Sequence, residues 1–335
     1  MLAYALRRIA LLLPVLIGLS MLVFVIGRML PGDPVQLAAG PNASREQIQA
    51  LSVEFGMDKP LLVQYLRYAT GLLKGDWGRS LQSRGPVIED LRVFLPATLE
   101  LVFAAMSLAI LIGVPAGLLS ASMRNGWLDY TVRLLSLASI SMPRFFLGLL
   151  LQLVFAMWLG WAALGGRFPL TGSPPPVLTG LMTVDSLLAW DMGALWLSLK
   201  HLSLPAIAMC LSPLATITRM MRASTLEVLQ QDYVLTARAL GIPPGKLLFK
   251  HVLRNALSAT LTVIGLYFGF LLGGTVLVET VFDWPGIGLY ATKSILTQDF
   301  MPVMGVVLTI GAMFVLFNLL VDLLYGVIDP KVKLR

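Results

Sequence analysis

Charge is scarce in this chain. Asp, Glu, Lys and Arg make up 13% of its 335 residues while 57% are hydrophobic, against the roughly 25% charged share of a soluble domain. That deficit excludes a freely soluble globular protein. Cysteine occurs once, at Cys210 inside an apolar stretch. The sequence therefore holds no disulfide framework and no cysteine-rich metal cluster, and the thiol reads as a small buried hydrophobe. Its two histidines, His201 and His251, do not form a metal site. No nucleophile–base constellation is visible, which argues against covalent catalysis. The nearest thing to a phosphate loop, Gly241-Ile-Pro-Pro-Gly245-Lys246-Leu247, lacks a residue between its glycines and the Ser/Thr that would hold magnesium. No cofactor is expected on this chain.

What is present is a series of long apolar runs. A helix needs roughly 20 apolar residues to cross a bilayer, and six candidates lie at about 9–30, 96–122, 134–161, 202–221, 257–281 and 303–327. The fourth is interrupted by Pro205 and Pro213, which neighbouring helices can compensate. The first follows Arg7 and Arg8 but is longer than the ~7–15 apolar residues of a signal peptide. It reads as a retained helix. The sequence thus predicts an all-α membrane protein.

Basic residues in short connections set the orientation. With a cytoplasmic N-terminus, the inner segments hold Arg7, Arg8, Arg124, Arg133, Arg219, Arg222, Arg238, Lys246, Lys250, Arg254, Lys331, Lys333 and Arg335. The outer stretches 162–200 and 282–302 hold only Arg167, Lys200 and Lys293. Both termini are therefore expected in the cytoplasm. The net charge of +7 becomes a topology signal and not a nucleic-acid footprint.

The chain divides into a first transmembrane helix (1–30), an external segment (31–95) and a core of five spans (96–330). In the external segment, Ser44-x-x-Gln47 has the form of a capping box, followed by Ile48, Leu51 and Phe55 on one face and a stop at Gly56. Pro60 opens a second amphipathic helix to about Lys74, with Leu61, Tyr65, Tyr68 and Leu72 along one stripe. A third short helix is expected from Pro86 to Phe94.

Between the fourth and fifth spans lies a polar, basic, helical stretch, about 224–255. Ser224 or Thr225 is placed to cap a helix that Gly241 ends. Pro243 and Pro244 open a second helix to about Asn255. Tyr233, Ala237 and Leu240 recur at i, i+4 and i+7, a face that suits a partner's groove or this protein's own bundle equally.

Here the sequence becomes specific. Leu226-Glu-Val-Leu-Gln-Gln-Asp-Tyr-Val-Leu-Thr-Ala-Arg-Ala-Leu-Gly-Ile242 resembles the coupling-helix motif of binding-protein-dependent ABC importer permeases. The variant is that of the dipeptide, oligopeptide and nickel group, where Leu235-Thr236-Ala237 replaces the broader Glu-Ala-Ala. Also similar are Leu30-Pro-Gly-Asp-Pro34, Asp58-Lys-Pro-Leu61, Pro96-Ala-Thr-Leu-Glu-Leu101, Ser141-Met-Pro143 and His251-x-Leu-Arg-Asn-Ala-Leu257. So are Glu279-Thr-Val-Phe-x-Trp-Pro-Gly-x-Gly288, Asn318-Leu-Leu-Val-Asp-Leu-Leu324 and Asp329-Pro330. The resemblance spans nearly the whole chain and is nearest to a B-type dipeptide permease. It implies the type I importer permease fold in a bacterial inner membrane. It also implies a second homologous permease, two ATPase subunits that carry ATP and magnesium, and an external solute-binding protein. ATPase docking would fall to Asp232, Tyr233, Thr236, Ala237, Arg238, Leu240 and Gly241. Short peptides are the default cargo, with nickel, glutathione and other small solutes as alternatives. The proline-rich loop 162–200, where group members vary, does not decide among them.

Ionisable residues in or near spans are functional candidates by default: Glu100, Arg144, Glu279 and Asp322. Glu100 and Glu279 lie near span ends, where water can reach them. Arg144 is a candidate for the pathway, meeting a substrate carboxylate, and Asp322 for a partner of Asn318. Trp284-Pro285-Gly286-Ile287-Gly288 reads as an external gate or docking loop. Gly265, Gly269 and Gly273 form a small-residue stripe for close helix approach, within the chain or against the partner permease. A gradient-driven transporter is the rival class, but the internal repeat expected of one is not found.

Overall fold

Two proline-containing helices form the spine of the molecule. The computed structural model describes residues 2–29, 44–54 and 58–328. Among the features singled out above, Leu30 to Pro34, Phe55, Gly56, Asp329-Pro330, Lys331, Lys333 and Arg335 lie outside these residues. So do the side chains of Arg7, Arg8, Ile48, Leu51 and Asp322.

Among the described residues every regular element is a helix. In chain order they are α1 (Leu2–Met29), α2 (Arg45–Glu54), α3 (Leu61–Leu73), α4 (Val87–Ser122), α5 (Trp127–Ser141) and α6 (Arg144–Leu151). A π-helical turn, Gln152–Trp158, extends α6. Then come α7 (Met182–Leu188), α8 (Met192–Val228), α9 (Asp232–Ala239), α10 (Pro244–Lys246), a second π-helical turn (Leu247–Val252), α11 (Leu253–Val281), α12 (Ile287–Leu296) and α13 (Phe300–Ile328).

Among the described residues, five helices are long and apolar enough to cross a membrane, and a bent pair makes up to six. That pair corrects the single span expected at 134–161: α5 and α6 with its π turn meet at 103°. The cause is local. Met142 is extended (φ −97, ψ 131) before Pro143, because a residue preceding proline avoids the helical region. Pro143 then offers no N–H to continue the ladder.

The separate helix expected over Pro86–Phe94 is instead the first part of α4, which continues through Pro96 and Pro115 for 36 residues, about 54 Å at 1.5 Å per residue. Val87, Leu91, Ala97 and Leu101 are all buried along it, so packing outweighs the loss of one backbone bond at each proline. The fourth span likewise grows, to 37 residues in α8, through Pro205 and Pro213. Asp191 caps it, its side chain accepting from Ala194 N at 2.8 Å. The two helices touch backbone to backbone: a Cβ on Gly117 would lie 2.5 Å from Thr218 O and 2.7 Å from Met221 Cβ. Met106, Met209, Ile217, Leu271 and Leu272, contributed by α4, α8 and α11, are buried in or beside this contact.

Of the external amphipathic elements, α3 docks on the first helix. The capping box closes: Ser44 N donates to Gln47 Oε1 at 2.9 Å, and Gln47 N donates to Ser44 Oγ at 3.2 Å. From α3, Tyr65 meets Phe24 of α1 edge-on, with ring centres 5.7 Å apart, and Tyr68 meets it at a tilt, 5.6 Å away. The Tyr65 hydroxyl also shares a 2.9 Å hydrogen bond with Ser20.

Candidate functional site

The 224–255 stretch folds differently from the expected helix pair. Ser224 and Thr225 cap nothing: they are buried inside α8, which runs on to Val228. Gln231, extended at φ −74 and ψ 145, instead starts the eight-residue helix α9. Gly241 at φ +76 ends α9, in the left-handed region where glycine is nearly free of strain. Pro243 is extended and Pro244 begins α10. Through the π turn Leu247–Val252, α10 merges into α11, so the second expected helix is the start of the fifth span. A peptide bend of this kind leaves α9 as a short rod held at a fixed angle between two long helices.

One side of that rod is glued to its own chain. Val234 and Ala237 are buried against Leu247 and Val252. The Asn255 side chain donates to the Tyr233 hydroxyl at 2.6 Å. Tyr233, Ala237 and Leu240 therefore do not make one outward face. Ala237 points inward, and Leu240 has left the helical ladder as the C-terminal cap of α9. What faces outward is Asp232, Leu235 (49% exposed), Thr236, Arg238 and Leu240 (76% exposed). Phe249, 61% exposed on the π turn, extends the same segment. An apolar surface of this kind beside basic residues is unusual in water and suits a partner.

A buried ion pair fixes the helix that leads into α9. Asp129, at the start of α5 and fully buried, accepts from Arg222 Nε at 2.6 Å and Nη2 at 2.8 Å. It also accepts from Ser120 Oγ at 2.6 Å and Asn125 N at 3.1 Å. The clamp ties α4, α5 and α8 together six residues before α8 ends at Val228. The sequence reading missed it. Arg222 was counted only as an orienting charge, and an aspartate just past a span is an ordinary loop residue until its partner is known.

At the opposite end of the bundle, the segment read as an external gate or docking loop is tied to α4 by buried hydrogen bonds. Glu279 is fully buried and not solvated as a span-end residue. Its carboxylate accepts from Thr98 Oγ1 at 2.7 Å and from Leu289 N at 2.9 Å. Thr98 Oγ1 in turn accepts from Ile287 N at 2.9 Å. Trp284, also buried, donates its indole N–H to Ala97 O at 2.9 Å. Gly286 must be glycine for space: a Cβ there would lie 2.4 Å from both Glu279 Oε1 and Thr98 Oγ1. Pro285 joins Trp284 to Gly286 in the chain.

Glu100 is also buried, not solvated. It accepts two bonds from Arg167, Nε at 2.9 Å among them, and two from Thr183, N and Oγ1 both at 2.7 Å. Arg167 donates further to Gly180 O at 2.6 Å and lies 6.0 Å from the Trp284 ring centre. These contacts pin the proline-rich loop onto α4. Asp185 holds the loop's other side, accepting from Thr179 N and Oγ1 and from Gly180 N. Burial pushes that carboxyl upward, but these hydrogen bonds outweigh it and hold it below the usual range. His201 meets the backbone oxygens of Gly165 and Gly166 at 3.0 and 3.2 Å, a structural role.

The structure thus brings Glu279, Trp284 and Gly286 together, adds Thr98, Glu100 and Arg167, and leaves Arg144 apart. Arg144 heads α6 at the break of the bent pair. The glycine stripe is internal for two of its members. A Cβ on Gly265 would strike Val321 at 2.4 Å, and one on Gly269 would strike Phe314 at 2.3 Å, both on α13. Gly273 has nothing within 4 Å.

Comparison with known proteins gives the same architecture a family. Residues 113–334 match the family described as binding-protein-dependent transport system inner membrane component. Residues 1–102 match the N-terminal membrane component of the same systems. The chain is 44% identical, over 99% of its length and all of the relative's, to the dipeptide transport system permease protein DppB of Alkalihalophilus pseudofirmus. It is 43% identical, over 95% of its length and 94% of the relative's, to the probable D,D-dipeptide transport system permease protein DdpB of Escherichia coli K12. A di/tripeptide transport system permease protein DppB of Pseudomonas aeruginosa is 42% identical over 99% of both chains. With a helical bundle of five or six apolar spans and these matches along its length, the chain belongs to the inner-membrane permease components of binding-protein-dependent ABC importers.

Proposed function

We propose that this subunit forms half of a translocation pathway for short peptides, dipeptides first, and that α9 is where ATPase subunits push on it. A second, similar permease completes the pathway, and a solute-binding protein delivers cargo at the Trp284 end. ATP and magnesium reside on the ATPases. The α9 end then faces the cytoplasm, in keeping with Arg219, Arg222, Arg238, Lys246, Lys250 and Arg254 gathered in that part of the sequence. The peptide cargo is supported by relatives named for dipeptide and di/tripeptide transport.

The observation that carries the docking role is the outward apolar surface of Leu235 on α9 and of Leu240 at its C-terminal cap, on a segment whose other side is buried. Such a rod, seated on Val234 and Ala237, transmits a push without bending. The Asp129–Arg222 clamp passes that motion from α8 into α4 and α5.

The test is ATP-driven uptake of a labelled dipeptide by the complete complex in proteoliposomes, with and without binding protein, comparing wild type with Leu235→Glu. Binding-protein-dependent uptake is expected in wild type. The variant should remain folded and paired with its sister permease while its ATPases dissociate or hydrolyse ATP without transport. Full coupling in Leu235→Glu would remove α9 from the docking role.

A further inference from the structure

Arg144 is a cation with no counter-ion among the described residues, inside an apolar bent span. Arginine stays charged in proteins, and a charge at membrane depth almost always faces the bundle interior, a partner or a watery cavity. The ion pairs of the described residues engage Arg92, Arg167, Arg222 and Lys59. Arg144 has neither an ion pair nor a hydrogen bond among the described residues. It is half-buried, so part of the guanidinium remains accessible.

Its position is built. The guanidinium rests on the backbone of α11 at Gly274, where a Cβ would come within 2.6 Å of Nη1. Only glycine leaves room for that seat. Gly274 lies seven residues before α11 ends at Val281, about 10 Å inside the bundle at the helical rise. Tyr267, two helical turns before Gly274 and so on the same face of α11, shares through its hydroxyl a 2.9 Å hydrogen bond with Thr216 of α8. Around this polar group the walls are apolar and uncovered: Met142, Phe145 and Phe146 at the break, and Leu266, Phe270 and Leu277 along α11. Gly273 adds open space beside it. The result is one fixed cation with two hydroxyls on an otherwise apolar wall, below the locked Glu279–Trp284 joint.

We propose that Arg144 receives the terminal carboxylate of a short peptide as it crosses the membrane. This rests on the peptide-permease reading above. A guanidinium binds a carboxylate through two parallel N–H donors, while the apolar surround tolerates varied side chains. Arg144 then serves any peptide with a free carboxyl terminus and selects among them weakly.

The experiment uses the complete complex in proteoliposomes with saturating binding protein, comparing wild type with Arg144→Gln, Arg144→Lys and Gly274→Ala. Three quantities are read: co-purification of the sister permease, basal ATP hydrolysis, and the initial rate of labelled dipeptide uptake. Arg144→Gln should keep its partner and its basal hydrolysis yet lose uptake by about tenfold or more, the scale of one charge-assisted contact. Arg144→Lys should recover a substantial part, because charge persists without the paired donors. Gly274→Ala, which displaces the guanidinium but removes nothing, should fall between them. Wild-type uptake by Arg144→Gln would overturn the proposal. So would loss of the sister permease from that variant, which would make Arg144 a counter-ion across the permease interface. Absence of dipeptide uptake in wild type would instead refute the peptide-permease reading, an outcome the other arms cannot mimic.

Discussion

Glu279 and Thr98 stand 181 residues apart and share a 2.7 Å hydrogen bond in the buried joint between α4 and α11. Through it the last turn of one long helix is sewn to the middle of another, and the Trp284–Gly288 turn is folded over the knot. The end of the bundle beyond α11 is therefore bonded to α4 at the segment the sequence suggested as an external gate or docking loop. In the proposed importer, whole helices would move together with the joint riding along.

Glu279→Gln checks this directly. Its amide keeps one acceptor and turns the other into a donor, so either Thr98 or Leu289 N loses its partner while remaining buried. The cost should be about 1–3 kcal/mol for one stranded polar group, seen as a lower unfolding temperature of the detergent-solubilised complex. Gly286→Ala should be at least as harmful, because its methyl group would overlap both oxygens of the bond. An unchanged unfolding temperature in both variants would contradict a locked joint.

Charges placed on the two sides of α9 should separate folding from docking. Ala237→Glu buries a carboxylate against Val234, Leu247 and Val252, and the segment should come apart: faster proteolysis between α8 and α11 and low yield of assembled protein. Leu240→Glu adds the same charge at a site 76% exposed. It should leave yield and proteolysis unchanged while weakening ATPase retention. Limited proteolysis and co-purification, run side by side, read both.

The Asp129–Arg222 pair should behave as a stabilising clamp with a functional readout. Asp129→Ala leaves the Arg222 guanidinium, Ser120 and Asn125 N without their acceptor. Breaking one side of a buried pair costs about 3–5 kcal/mol, and Arg222 keeps some solvent access, so a loss toward the lower figure is expected. The companion effect is looser coupling: more ATP hydrolysed per peptide moved. Equal stability and equal stoichiometry in Asp129→Ala would show that the pair is dispensable.

How much of this was legible in the sequence depends on the range of the interaction. The apolar runs, the Ser44–Gln47 capping box, the Pro60 helix start and the Gly241 stop rest on neighbours a few residues away, and they lie where local chemistry puts them. The coupling motif was recognisable because its residues are contiguous. Helix continuity was harder. Pro86 does open a helix, as its local signal says, but Pro96 and Thr225 also carry local signals for a boundary, and each was overruled by packing against α8, α12 or α4 that sequence proximity cannot reveal. The break at Met142–Pro143 shows the reverse, a local signal that prevailed over the hydropathy of a continuous run. Glu100 with Arg167, and Asp129 with Arg222, pair across 67 and 93 residues. Nothing within either stretch names its partner.

The glycine stripe of α11 gives a contrast that a single substitution series resolves. Gly269 faces α13 so closely that an added methyl group would lie 2.3 Å from the Phe314 ring. The ring must turn or the helices must part, and overpacking of this kind costs about 1–3 kcal/mol. Gly265, 2.4 Å from Val321 by the same measure, should respond alike. Gly273 is four residues further along the same helix, and a Cβ added there would meet no atom beyond its own helix turn within 4 Å among the described residues. Within the isolated chain Gly273→Ala should therefore be neutral or slightly stabilising, since alanine is the better helix former by about 1 kcal/mol. Thermal unfolding of the purified subunit against that of the assembled complex then locates the sister permease. If Gly273→Ala destabilises the complex but not the subunit, the partner packs at that point of α11. If neither changes, the space beside Gly273 is open in the assembly too, and the Arg144 site keeps the room that a passing peptide requires.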